Sequence, residues 1–257
     1  MSNAMFPFDS KQVFSSLVQN YIKYRPGYPT EVRDVLIDEC GLSPGWRVAD
    51  IGSGTGLLTC LFLDFGCALT GIEPNEEMRR AGEQLLAGYS RFTSLSGSAE
   101  TTGLADESID LVTAGMAFHW FDIPRARQEF IRVLAPDGWV ALVWHRMLTG
   151  PETFMQNYTS LVLEYSPGWS ETQRREHSLD LQGFFGGVYH RRAFPFFQIL
   201  DWDGLCGRTL SIAHVPGLDD PAHQPMFSRL QDIFERHQNN GEVVLQYETE
   251  IYYRRLI

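Results

Sequence analysis

The chain has 257 residues, of which the first four, Met1 to Ala4 ahead of Met5, read as an expression scar and are set aside. Apolar residues make up 44% and no apolar run approaches the roughly 20 residues of a membrane span, so a soluble chain is expected, with one large or two small domains. The net charge of −11, with lysine only at Lys11 and Lys23, argues against nucleic-acid and membrane partners. Cys40, Cys60, Cys67 and Cys206 form no Cys-x-x-Cys pair and the histidines are scattered. Free core thiols, no bound metal and a cytoplasmic setting are the expectation.

Along the chain, residues 5–28 read as an N-terminal cap. Val32, Val35, Leu36 and Cys40 then recur at helical spacing up to a stop at Gly41. A short buried strand follows at 46–51, then a glycine-rich turn, then a helix whose apolar face is Leu57, Leu58, Leu61, Phe62 and Phe65. Residues 68–73 form a second strand, and Asn75 with Glu76 and Glu77 suits the start of the next helix. Further strands are expected at 91–95, 109–114 and 139–145, the last after a turn at Pro136-Asp137-Gly138. Beyond 146 the pattern loosens into an aromatic, glycine-containing stretch read as a helical lid, 147–194. A strand at 196–203, a helix carrying Met226, Leu230, Ile233, Phe234 and His237, and an alternating strand from Val243 to Tyr253 complete the chain. The expectation is an α/β protein: a Rossmann-like, doubly wound, seven-stranded mixed sheet with an antiparallel edge strand and a helical lid insertion. Its binding core would occupy 29–146, with 195–257 returning to the sheet.

The segment Asp50-Ile-Gly52-Ser-Gly54-Thr-Gly56 joins the first strand to its helix. Alternate glycines let the backbone turn sharply and approach a ligand, and the helix start offers N–H groups. A nicotinamide dinucleotide would require glycine at the sixth place of Gly-x-Gly-x-x-Gly, where counting from Gly52 gives Leu57 and from Gly54 gives Thr59. Asp50 would repel a pyrophosphate but favours a cationic cofactor, and S-adenosylmethionine fits. Glu73 ends the second strand, placed to accept bonds from ribose hydroxyls, while Ser98, Ala99 and Glu100 follow the third and suit an adenine edge. Each acid alone reads more readily as solvated surface charge; at successive strand ends they outline one crevice.

Four segments in unbroken order, Val48-Ala-Asp-Ile-Gly-Ser-Gly-Thr-Gly56, Gly71-Ile-Glu-Pro-Asn75, Gly97-Ser-Ala-Glu100 and Ile109-Asp-Leu-Val112, resemble the motifs of class I S-adenosylmethionine-dependent methyltransferases. Tyr24-Arg-Pro-Gly-Tyr-Pro29 and Ala117-Phe-His-Trp-Phe-Asp122 are similar to the small-molecule subgroup that includes trans-aconitate methyltransferases. The resemblance implies donor contacts from Asp50, Gly52, Ser53, Gly54, Gly56, Glu73, Pro74, Met78, Ser98, Ala99, Glu100 and Ala114. It implies a small-molecule acceptor but does not name one.

On the acceptor side, His119 and Trp120 follow the fourth strand, and His119 is the candidate catalytic residue, either orienting an ionised carboxylate or removing a proton from a hydroxyl or amine. Tyr21 and Arg25 of the cap are candidates for holding the acceptor, Arg25 facing either an anionic acceptor or the donor's own carboxylate, with Arg191 and Arg192 as lid alternatives. The expected activity is methyl transfer to a small molecule, a carboxylate being one option. The alternatives are a donor-binding regulatory protein without catalysis and an NAD(P)-dependent oxidoreductase.

Overall fold

The computed structural model describes residues 18–166, 168, 180–212 and 215–256. The expected scar, much of the cap and part of the expected lid lie outside the described residues.

Seven strands form one sheet in the order β3-β2-β1-β4-β5-β7-β6. They are β1 (Arg47–Ile51), β2 (Ala68–Ile72), β3 (Phe92–Leu95), β4 (Ile109–Gly115), β5 (Leu134–Met147), β6 (His190–Leu200) and β7 (Val243–Arg255). The first five are parallel, and β7 runs antiparallel to both β5 and β6. The antiparallel pairing therefore falls at the end of the sheet where it was expected, with β7 next to the edge and β6 outermost. Period-two alternation assigns the strand residues to two faces. Ala49, Ile51, Val112, Ala114, Val140 and Leu142 enter one apolar cluster, while Val48, Leu111, Ala141 and Val143 enter the other.

Helices cover both faces. α1 (Val18–Tyr24) and α2 (Glu31–Cys40) precede the sheet, and Gly41 ends α2 in the left-handed conformation the sequence called for. α3 (Leu57–Leu63), α4 (Glu76–Leu85) and α5 (Ile123–Val133) connect the parallel strands. Asn75 caps α4 by accepting from the Met78 amide. The anticipated turn at 136–138 is an excursion within β5: partners of β4 jump from Leu134 to Trp139, and Asp137 adopts a φ of 67°.

The strand expected at 196–203 begins earlier and ends earlier. Residues 190–194, read as lid, are already paired with β7, and Pro195 sits within the strand. An edge strand tolerates proline because one of its sides has no ladder to supply. The strand stops at Leu200 because Asp201 turns to cap α8 (Trp202–Leu210), accepting from the Gly204 amide at 2.8 Å. α8 packs with α6 (Phe154–Tyr165), α9 (His223–His237) and the first residues of β7 in a third apolar cluster that includes Tyr158, Leu205, Leu230 and Tyr247. α7 (Leu181–Phe185) sends Phe184 and Phe185 into the cluster on the α5 face. The stretch beyond 146 is thus partly strand and partly a helical layer built on β7.

α1 closes the carboxyl end of the sheet by resting on α8 and α4. Its Tyr24 ring lies directly on the α8 backbone at Gly207, where a Cβ would collide with the ring. Glycine inside a helix costs about 1 kcal/mol relative to alanine, so the contact must return more than that. Gly207→Ala should destabilise the protein by about 1–3 kcal/mol, as overpacking does. In a Tyr24→Ala background the same change should stabilise it by roughly 0.5–1 kcal/mol, both read by urea denaturation.

Candidate active site

The reversal of strand order between β1 and β4 opens a crevice at the carboxyl ends of the strands. Two cavities lie there. The first, of about 360 Å³, is lined by Gly52, Gly54, Glu73, Pro74, Met78, Ser98, Ala99 and Glu100, together with Tyr21, Asn75, Gly115, Met116, Ala117, Trp120 and Phe121. Asp50, Ser53, Gly56 and Ala114, expected among the donor contacts, do not reach its wall. Gly56 instead precedes α3 with a φ of 90°, and Ala114 belongs to the core.

The glycine loop is shaped by its attachment to β2. Gly52 and Ser53 both donate to the Ile72 carbonyl, at 2.8 and 3.2 Å, and Gly54 donates to one Glu73 oxygen at 3.0 Å. These amides are therefore spent on holding the loop, and Gly52 and Gly54 present to the cavity backbone without a side chain. Gly52 has a φ of 71°, and a Cβ there would stand 2.6 Å from that of Ala117. The second Glu73 oxygen accepts from the Asn75 amide at 2.8 Å, so the carboxylate is fixed at the cavity wall with lone-pair capacity beyond these two bonds. Glu100 is held similarly, accepting from the Asp122 amide. Among the described residues, Glu73 and Glu100 are the only formally charged side chains at this wall, which makes the cavity attractive to a cation.

Asp50 lies under the loop at 1% exposure. The Thr59 hydroxyl donates to one of its oxygens at 2.7 Å, and the other has no hydrogen-bond partner among the described residues. Burial raises its pKa to about 7, against the lowering effect of Thr59 and with a further push from Glu73.

The second cavity, of about 350 Å³, adjoins the first through two shared wall residues, Tyr21 and Met116. Met116 takes a φ of 53°, unusual for a side chain of its size, and its sulfur accepts from the His145 amide. Tyr28, Tyr247 and His145 supply aromatic wall, Tyr28 stacking on His145 at 4.5 Å. Gly115 leaves room for the Tyr28 hydroxyl, which a Cβ would meet at 2.5 Å. The cationic wall residues are Arg25, Arg146 and Arg208. Of the expected acceptor residues, Tyr21 and Arg25 are brought here and Trp120 lies in the first cavity, whereas His119 lines neither. His119 is buried beside the Trp120 ring, 5.1 Å between centroids. Arg191 is committed to Glu248 and Glu250, and Arg192 to Glu39.

His145, Arg208 and Tyr247 were not singled out from sequence. For Arg208 a signal existed: it interrupts Leu205-Cys-Gly-Arg-Thr-Leu210 with no acid three or four residues away to pair with it on a helix. The tautomer of His145 follows from its partners. The Gly27 carbonyl can only accept, so Nε2–H donates to it at 2.9 Å, and Nδ1 receives the Thr249 hydroxyl at 2.9 Å. Burial, opposed by the Gly27 bond and aided by Arg208 and Arg25, lowers its pKa to about 4.

The raised pKa of Asp50 has a stability consequence of definite sign. The folded state holds a proton that the unfolded chain has released, so between about pH 4 and pH 7 this residue costs stability progressively as pH rises. An Asp50→Asn variant lacks that cost, and its melting temperature relative to wild type should climb through this window and level off above it. A constant difference across the window would contradict the assignment.

Residues 49–142 match the family model described as "Methyltransferase domain". A methyltransferase of Mycobacterium tuberculosis is 37% identical over 137 residues, covering 53% of this chain and 54% of that protein. The match thus spans about half the length of that relative. A methyltransferase-like protein of Schizosaccharomyces pombe is 26% identical over 243 residues, 93% of each chain. Among solved structures, a candidate type II methyltransferase from Anaeromyxobacter dehalogenans superposes with a TM-score of 0.66 at 20% identity, over 91% of this chain and 99% of that one. Residues 49–142 are accordingly similar to methyltransferase domains, and the fold around them is one that such a methyltransferase structure shares.

Proposed function

We propose that the protein transfers a methyl group from S-adenosylmethionine to a small-molecule carboxylate. The observation that carries this reading is the pairing of an acid-lined cavity at the glycine loop with an arginine-lined cavity sharing its wall. The donor, cationic at sulfur, suits the first; a pyrophosphate would face Glu73 and Glu100 there with no arginine or lysine among the described lining residues to answer it.

When bound, S-adenosylmethionine would supply a methyl group already activated by its sulfonium leaving group, to be taken by a lone pair of the acceptor. Glu73 would hold the ribose hydroxyls, Ser98, Ala99 and Glu100 the adenine side, and Gly52 and Gly54 the amino-acid end. Tyr21, Trp120 and Phe121 exclude water around the reacting atoms, and alignment supplies most of the acceleration. Among the described lining of the acceptor cavity no side chain serves as a general base. The arginines stay protonated, and both nitrogens of His145 are engaged in an imidazole that resists protonation. An acceptor must then arrive with its lone pair available, which a carboxylate does near neutral pH and a hydroxyl or ammonium does not. In this reading His119 supports Trp120 and does not handle a proton.

Isothermal calorimetry should detect S-adenosylhomocysteine binding well below about 1 mM, and Glu73→Ala should weaken it by about tenfold or more, as loss of a charged hydrogen-bond acceptor does. A homocysteine-release assay over carboxylic acids, phenols and amines should give turnover on the acids. No heat at millimolar ligand would refute the donor site; turnover confined to amines or phenols would refute the acceptor class.

A further inference from the structure

Arg25 and Arg208 form no ion pair among the described residues, although Arg208 is only 4% exposed and the Arg25 Nε is enclosed. Ser211 joins them: its carbonyl accepts from Arg25 Nη2 at 2.7 Å, and its hydroxyl lies 3.3 Å from Arg208 Nη1. Arg208 Nε reaches the Tyr247 hydroxyl at 3.3 Å. Among the described residues, only neutral groups hydrogen-bond to either guanidinium. Burial, and after it the like charge of Arg208, lowers the pKa of Arg25 to about 10. Arg146, in the same wall, is different, since Glu250 neutralises it at 2.9 Å.

Charges enclosed together in this way repel each other and are stabilised by an anion brought between them. The wall carries two further signs of a ligand. Arg25 Nε has no acceptor, and the buried hydroxyl of Thr159 has no partner among the described residues. Around these polar atoms the surface is aromatic and aliphatic, from Tyr28, Leu57, Met147 and Ile212. The volume is at the small end of the range for ligand pockets.

We propose that Arg25 and Arg208 form an anion clamp for the acceptor, so that the pocket takes a small organic acid whose carboxylate lies against the two guanidiniums with one oxygen facing the boundary at Tyr21 and Met116, and whose apolar body rests against Tyr28, Leu57, Met147 and Ile212. This rests on the acceptor cavity of the proposed function but assigns its recognition residues independently of any turnover. Arg208 is the new member, contributed by α8, far along the chain from residues 49–142.

The test uses the full chain with three probes: phenylacetate, its neutral analogue phenylacetamide, and inorganic phosphate. Binding is read by calorimetry and thermal shift, with S-adenosylhomocysteine titrated into the same preparations. Phenylacetate should bind about tenfold or more tightly than phenylacetamide, the scale of one charge-assisted contact. Arg208→Gln and Arg25→Gln should each abolish that preference while S-adenosylhomocysteine binds as in wild type. Arg25 lies on a half-buried segment, so its variant keeps the test decisive if Arg208→Gln does not fold. Equal binding of acid and amide, or a preference that survives in the folded variants, overturns the clamp. Phosphate binding in place of phenylacetate overturns the carboxylate assignment. A wild type that prefers the acid yet ignores S-adenosylhomocysteine supports the clamp and strikes the donor reading instead.

Discussion

Two guanidiniums enclosed without a carboxylate set the terms for the rest of the site. A buried ion costs several kcal/mol unless something pairs with it, and a chain of net charge −11 has acids in plenty to do so. Those acids lie elsewhere: Glu250 answers Arg146 and Arg191, Glu39 answers Arg192, and Glu73 is tied to the glycine loop. The field of the whole molecule repels anions, yet the second cavity presents an unneutralised positive wall. Segregation of opposite charge into adjoining chambers would give the proposed cationic donor and anionic acceptor separate seats, with Tyr21 and Met116 at the boundary.

The fold makes that segregation possible because the two chambers come from different parts of the chain. The donor side is built where β1, β2 and β4 end in parallel, which gathers Gly52, Glu73 and Gly115 at one edge. The acceptor side depends on β7. Its antiparallel pairing with β5 places Thr249 opposite His145 and Tyr247 opposite Met147, and its inner face carries the helical layer from which Arg208 projects. α1 then bridges α8 and α4, so Tyr24 on Gly207 and Tyr21 at the cavity wall belong to one short helix.

This division explains what the sequence discloses. The donor side is written in local order: glycine spacing, an acid at the end of β2 and small residues after β3 can be read within about a hundred consecutive positions. The acceptor side joins residues whose separation in sequence carries no pattern, as Arg25 and Ser211 lie 186 positions apart. Arg25 was legible because it stands in a rigid aromatic segment, whereas the one signal for Arg208 was the lack of a pairing acid on its own helix, and Tyr247 and, through Ser211, Arg25 reach it from far along the chain. His119 drew attention by its place after β4, but the short 3-10 turn Phe118–Trp120 sends Trp120 to the cavity and buries the histidine. The early start of β6 was masked by Pro195, a residue that breaks an interior strand but not an edge.

The central claim is spatial, and a crystal structure of the protein with S-adenosylhomocysteine and phenylacetate tests it most directly. The account predicts the ribose hydroxyls within hydrogen-bonding distance of Glu73 and the phenylacetate carboxylate between the guanidiniums of Arg25 and Arg208, the two ligands meeting where the cavities adjoin beside Tyr21 and Met116. A carboxylate found elsewhere, with the arginines unmoved and unliganded, would contradict it.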